Sequence, residues 1–129
     1  MLGLSILLLW IAQAPPIRLE INAPPEFAAE QSRMESIDGS QMADVLRLVG
    51  LKAPGPPIIV LLAPESSDFA RAIDPWIVGL ATRDNVVIFP SRSPSYPHST
   101  VDDVLRHEVA HALTWRAARG RPIPVQPGK

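Results

Sequence analysis

One α+β domain, with a small antiparallel or mixed sheet and helices packed on it, is what this sequence predicts. Three observations predict it. Short apolar or alternating runs of strand character are interleaved with longer stretches of helical pattern. Two of those runs flank a polar turn in the manner of a hairpin. The 129 residues are the size of a single domain, and 47% hydrophobic against 19% charged side chains is enough to bury a core.

At the N-terminus, residues 1 to 16 carry no charged side chain. An apolar run from Leu2 to Ala12 leads into Ala12-Gln13-Ala14, an A-x-A pattern, and then Pro15-Pro16. This reads as a signal peptide over residues 1–14 and predicts export; the competing reading is a buried strand. The run is short of the ~20 apolar residues a membrane span requires. Ile17 to Ile21 alternates apolar and charged residues, as a strand with one buried face does. After Pro24-Pro25 the pattern favours a long helix from Glu26 to about Val49, broken or bent at Gly39, since glycine costs ~1 kcal/mol in a helix interior.

Pro54-Gly55-Pro56-Pro57 is a connector, and the β-branched run Ile58 to Leu62 is predicted as the central strand. Ser66 or Ser67 caps a short helix reaching Ile73. Ile77 to Thr82 and Val86 to Phe89 flank Arg83-Asp84-Asn85 as a hairpin, and Pro90 to Pro97 is loop. The last helix runs from about Thr100 to Arg119 and is closed by Gly120. Residues 122–129 hold three further prolines and read as a disordered tail.

Composition removes several classes of function. A net charge of -1 without a basic stripe argues against nucleic acid as a partner. The absence of cysteine excludes disulfide scaffolds, thiol catalysis and iron–sulfur sites.

Chemistry concentrates in the last helix, where His107-Glu108-Val109-Ala110-His111 is an H-E-x-x-H motif. At ~100° per residue the two histidines lie ~40° apart and one turn along the same helix face. That spacing lets both imidazoles reach one Zn²⁺ at ~2.0–2.1 Å. Glu108 lies ~60° from His111 on that side, close enough to take a proton from a water on the metal without being a ligand. The metal would acidify that water and polarise a carbonyl, and the carboxylate would move the proton to the leaving amine. The rest of the helix agrees. Thr100-x-x-Asp103 or Ser99-x-x-Asp102 is a capping-box start. Val101, Leu105, Val109, Ala112 and Leu113 form a core stripe, with Arg106 and Arg116 towards its polar margins. Chance produces this motif in roughly 3 in 1,000 chains of this composition, which favours a metal site over coincidence.

Leu105-Arg106-His107-Glu108-Val109-Ala110-His111-Ala112-Leu113, followed by Arg119-Gly120-Arg121-Pro122-Ile123-Pro124, resembles the zincin metallopeptidases, in particular the bacterial peptidase MA-like (gluzincin) domains. The order of elements from about Ile17 to Pro124 is similar to theirs, although only the motif helix is specific. The resemblance implies a zincin-like domain over residues 17–121, with His107 and His111 as zinc ligands and Glu108 as general base. It also implies a peptide or protein substrate that pairs with an edge strand, here Ile77 to Thr82.

The chain departs from that family after the Pro-Ile-Pro loop, where related domains carry a second helix whose glutamate is the third ligand. From Ala112 to Lys129 there is no His, Asp, Glu or Cys. The resemblance therefore implies a domain incomplete at its C-terminus. The metzincin pattern is excluded by Thr114 and Ala117, which stand where it requires Gly and His. Catalytic zinc normally takes three protein ligands, and two are expected here.

His98 is read as an exposed loop histidine rather than a ligand, and Tyr96 as a loop aromatic rather than an oxyanion donor. Asp103 is expected to serve the helix start, Glu65 the first turn of the short helix, and Trp76 and Trp115 the core. Glu20, Glu65 and His98 remain as reserve candidates for the third ligand. Three functions follow from the residues: a zinc metallopeptidase, a degenerate zincin-like domain that binds peptide or metal without turnover, and a structural module with a coincidental motif.

Overall fold

The computed structural model describes residues 17–37, 42–53, 55–83, 85–95 and 97–119. The N-terminal apolar run read as a signal peptide, Gly39, Tyr96, Gly120 and the tail after it lie outside the described residues.

Strand β1 (Leu19–Asn22) is followed by a 3-10 turn at Pro25–Phe27 and helix α1 (Ala28–Glu35), then by α2 (Ala43–Val49). The helical stretch expected from Glu26 to Val49 is thus two short helices rather than one long one. α2 ends at Gly50 in the left-handed conformation, φ 81°, which a residue without Cβ adopts freely. β2 (Ile58–Leu62) and α3 (Asp68–Ala72) come next. Ser67 caps α3, accepting a hydrogen bond from the Ala70 N–H at 3.2 Å. β3 (Gly79–Thr82) and β4 (Asn85–Ile88) form the expected hairpin, and α4 (Val101–Ala118) is the motif helix. Thr82 stands opposite Asn85 at the end of the hairpin, and Arg83 takes a left-handed φ of 59°.

The sheet is mixed, in the order β1-β2-β4-β3. β2 pairs in parallel with β1 (Leu19 opposite Ile58) and with β4 (Val60 opposite Val86). β3 runs antiparallel to β4, with Gly79 opposite Ile88. β2 is central, as its unbroken apolar run predicts, and β3 is an edge.

Successive strand residues face opposite sides of the sheet. Ile58, Val60 and Leu62 of β2, with Val86 and Ile88 of β4, meet Phe27, Met34, Leu46, Leu105, Val109 and Leu113 in the main core. Val87 and Phe89 point the other way, into a smaller cluster with Ala63 and Ala70. The core stripe read on the last helix is therefore its sheet-facing side. Burial of Leu105, Val109 and Leu113 contributes about 1.5–3 kcal/mol each, which anchors α4 against the sheet.

Arg116, expected at a polar margin, is instead buried. Its guanidinium donates to the carbonyls of Pro56 (2.7 Å) and Pro57 (3.4 Å), so it ties the connector before β2 to α4. A long side chain can reach carbonyls across the core edge, which helical periodicity does not register. At the other end of α4, Arg33 of α1 pairs with Asp102 at 3.1 Å.

Candidate metal centre

α4 begins with a capping box at Thr100 and Asp103. The Thr100 hydroxyl accepts from the Asp103 N–H at 3.1 Å, and the Asp103 carboxylate accepts from the Thr100 N–H at 3.2 Å. Of the two registers open in the sequence, this is the one formed. Hydrogen bonding from Thr100, with help from Ser99, holds the Asp103 carboxyl below the usual aspartate range. Asp103 is thereby engaged at the helix start, as expected.

With the helix start set by the cap and its orientation by the core stripe, His107, Glu108 and His111 fall on the side facing β3. The two histidine Nε2 atoms are 2.9 Å apart, and the rings meet edge to face at 4.6 Å between centroids. One donor atom from each of His107, Glu108 and His111 lies within 4.8 Å of the others. Two nitrogens on one tetrahedral zinc stand about 3.3 Å apart. The observed spacing is a few tenths of an ångström shorter, a difference that small side-chain rotations absorb. The donor set is compatible with a metal ion.

Burial divides the three residues. Both histidines are exposed, whereas Glu108 is only 7% exposed. Two concavities meet at Glu108. One, of about 230 Å³, is lined by Trp76, Ile77, Pro94, His98 and His107, and the other by Leu80, Ala81, Arg83, His111 and Trp115. Ile77, Gly79 and Glu108 border both. Glu108 thus sits buried where the two concavities meet, beside the edge strand, with His107 lining one of them and His111 the other.

Gly79 makes this approach close. A Cβ there would lie 2.8 Å from Ile88 Cδ1 and from Val104 Cγ1, and 3.3 Å from Glu108 Cγ. The sequence reading passed over Gly79, although a glycine inside a strand pattern signals close approach of backbone to a neighbour.

The strap leading into β3 is held by Arg92, which sequence reasoning also missed. All five of its N–H donors are used: Nε and Nη2 to Glu65 (2.7 and 3.1 Å), Nη1 to the carbonyls of Asp74 (3.0 Å) and Ile77 (2.7 Å), and Nη2 to that of Ala70 (3.1 Å). Its guanidinium also lies over the Phe89 ring at 4.3 Å. An arginine in a proline-rich loop gives no local signal of such a role. Glu65 therefore serves Arg92 rather than the first turn of α3, which Ser67 caps. That hydrogen bond holds the Glu65 carboxyl below the usual glutamate range.

Two further expectations are corrected. Trp76 is 72% exposed on the cleft rim rather than in the core, because the strap carries it outward; Trp115 is half-buried, beneath the Arg119 guanidinium. His98 is not a free loop histidine: it is half-buried and its ring packs edge-on against His107, with centroids 4.7 Å apart. Of the other reserve candidates, Glu20 lies on β1 at the far edge of the sheet, and Glu65 is held by Arg92. Among the described residues, no helix is long and apolar enough to cross a membrane.

Compared with known proteins, the chain matches no family model, no curated protein and no solved structure.

Proposed function

We propose that this chain is a zinc-dependent metallopeptidase domain of the gluzincin kind, with His107 and His111 as metal ligands and Glu108 as general base. The observation that carries the reading is the pair of Nε2 atoms 2.9 Å apart beside a buried carboxylate, on a helix that flanks an edge strand. Zinc bound there supplies Lewis acidity, which acidifies water and polarises a carbonyl.

The residues of the chain do the rest. β3, an edge of the sheet among the described residues, would offer its outer backbone to an extended peptide, which would add to the sheet and lay a scissile bond along the cleft. His107 and His111 would hold the metal through their ring nitrogens, whose Nε2 atoms already face each other. Glu108, fixed by β3 at its back, accepts a proton from the attacking water and returns it to the departing amine nitrogen. Its burial keeps bulk water from competing for the carboxylate. The proposal extends to export, on the strength of the apolar run ending in Ala12-Gln13-Ala14; N-terminal sequencing of the mature protein would check it.

A second reading is favoured by one observation. Among the described residues the donor cluster holds only two imidazoles besides the carboxylate base, and a domain with two ligands retains metal or peptide without turnover. Zinc titration combined with hydrolysis of a mixed peptide substrate separates the two. Under the first reading, Glu108→Gln keeps zinc and loses about 10²–10⁴-fold in rate, while His111→Ala loses zinc. Zinc retention with no Glu108-dependent hydrolysis would establish the second. Stoichiometric zinc indifferent to His111→Ala would sink both.

A further inference from the structure

Building on the metal-binding role proposed for His107 and His111, we infer that His98 is the third ligand, completing a three-imidazole centre. The chain contains three histidines in all, and they form one continuous contact. His98 meets His107 at 4.7 Å between ring centroids, and His107 meets His111 at 4.6 Å. Two of the three come from adjacent turns of α4, but His98 comes from the loop before it. Its convergence is therefore a product of the fold and not of helical spacing.

The alternatives nearby are spent. Asp103 is bound into the capping box, Glu65 is bound to Arg92, and Glu108 is the proposed base. His98 lines the same concavity as His107 and Glu108. A backbone hydrogen bond from its own N–H to the Ser95 carbonyl at 3.0 Å holds it there.

The His98 nitrogens stand outside the 4.8 Å group formed by His107, Glu108 and His111, so ligation requires the ring to turn about its side-chain torsions. The open side of the cleft leaves room for that rotation, because His98 is only half-buried. Three histidines leave one position of a tetrahedral zinc for water, the ligand count of a hydrolytic centre. The loop histidine would thus stand in place of the carboxylate that the resembled domains draw from a later helix.

X-ray absorption at the zinc edge, on the zinc-loaded full chain, counts coordinated imidazoles without requiring any variant to fold. The wild type is expected to show three and His98→Ala two. In competition against a chromophoric chelator, His98→Ala should lose more than the ~10–100-fold typical of an outer partner, with circular dichroism confirming that the fold persists. Two imidazoles in the wild type would overturn the inference. If His98→Ala still weakened binding ~10–100-fold, the histidine would merely orient His107; His107 and His111 would stand as ligands either way. A wild type without zinc, or binding indifferent to His111→Ala, would overturn the proposed metal centre itself, and His98 with it.

Discussion

Replacing Gly79 by alanine tests whether the contact between the edge strand and the motif helix is as tight as it looks. The new methyl would lie 2.8 Å from both Ile88 Cδ1 and Val104 Cγ1, against about 3.5–4.0 Å for carbon atoms at rest. The overlap is therefore roughly an ångström with each. The two neighbours belong to different elements, β4 and α4, so relief on one side presses on the other. Ile88 is fully buried and can turn only into packed core, and Val104, branched at Cβ, is stiff. Overpacking of this kind costs about 1–3 kcal/mol, from which alanine recovers about 0.4–1 kcal/mol by restricting the unfolded chain. A net loss of about 1–2 kcal/mol is expected, read as a lower urea midpoint at unchanged slope. Because Glu108 Cγ would be only 3.3 Å from the same methyl, any peptide hydrolysis should fall more steeply than zinc affinity. Adding Val104→Ala should show favourable coupling, the second substitution costing less in the Gly79→Ala background than alone. An alanine variant as stable as the wild type, without coupling to Val104, would refute the close-approach argument.

Other substitutions probe the supports of the cleft. Arg92→Lys replaces a five-donor fork with three donors at one point and should lower stability by about 1–3 kcal/mol; thermal melting would measure it. Thr100→Ala removes the cap of α4 and should cost about 1 kcal/mol, measured by urea unfolding. Asp103 and Glu65 have folded pKa values below their ordinary ones. Their contribution is complete above the unfolded carboxylate range of about 3.9–4.3 and is lost as pH falls through the lower folded values. Urea midpoints should fall below about pH 4, and less steeply when Asp103→Asn and Glu65→Gln are combined.

What the sequence determined by itself was everything governed by short-range periodicity. The i, i+4 spacing of His107 and His111 puts two imidazoles on one helix face whatever surrounds them, and the Leu105–Val109–Leu113 stripe decides which side of that helix is buried. The β-branched run at Ile58–Leu62 announces the central strand, and the polar turn at Arg83 announces the hairpin. What only the tertiary structure decided were the partners brought together across the chain. Arg92 finds Glu65, one carbonyl of α3 and two of the strap before β3, Arg116 finds Pro56 and Pro57, Gly79 admits Glu108, and His98 meets His107. These pairings depend on how strands and helices stack, a matter of long-range packing. A local pattern constrains a residue's own dihedrals and facing but leaves free which distant group it will touch.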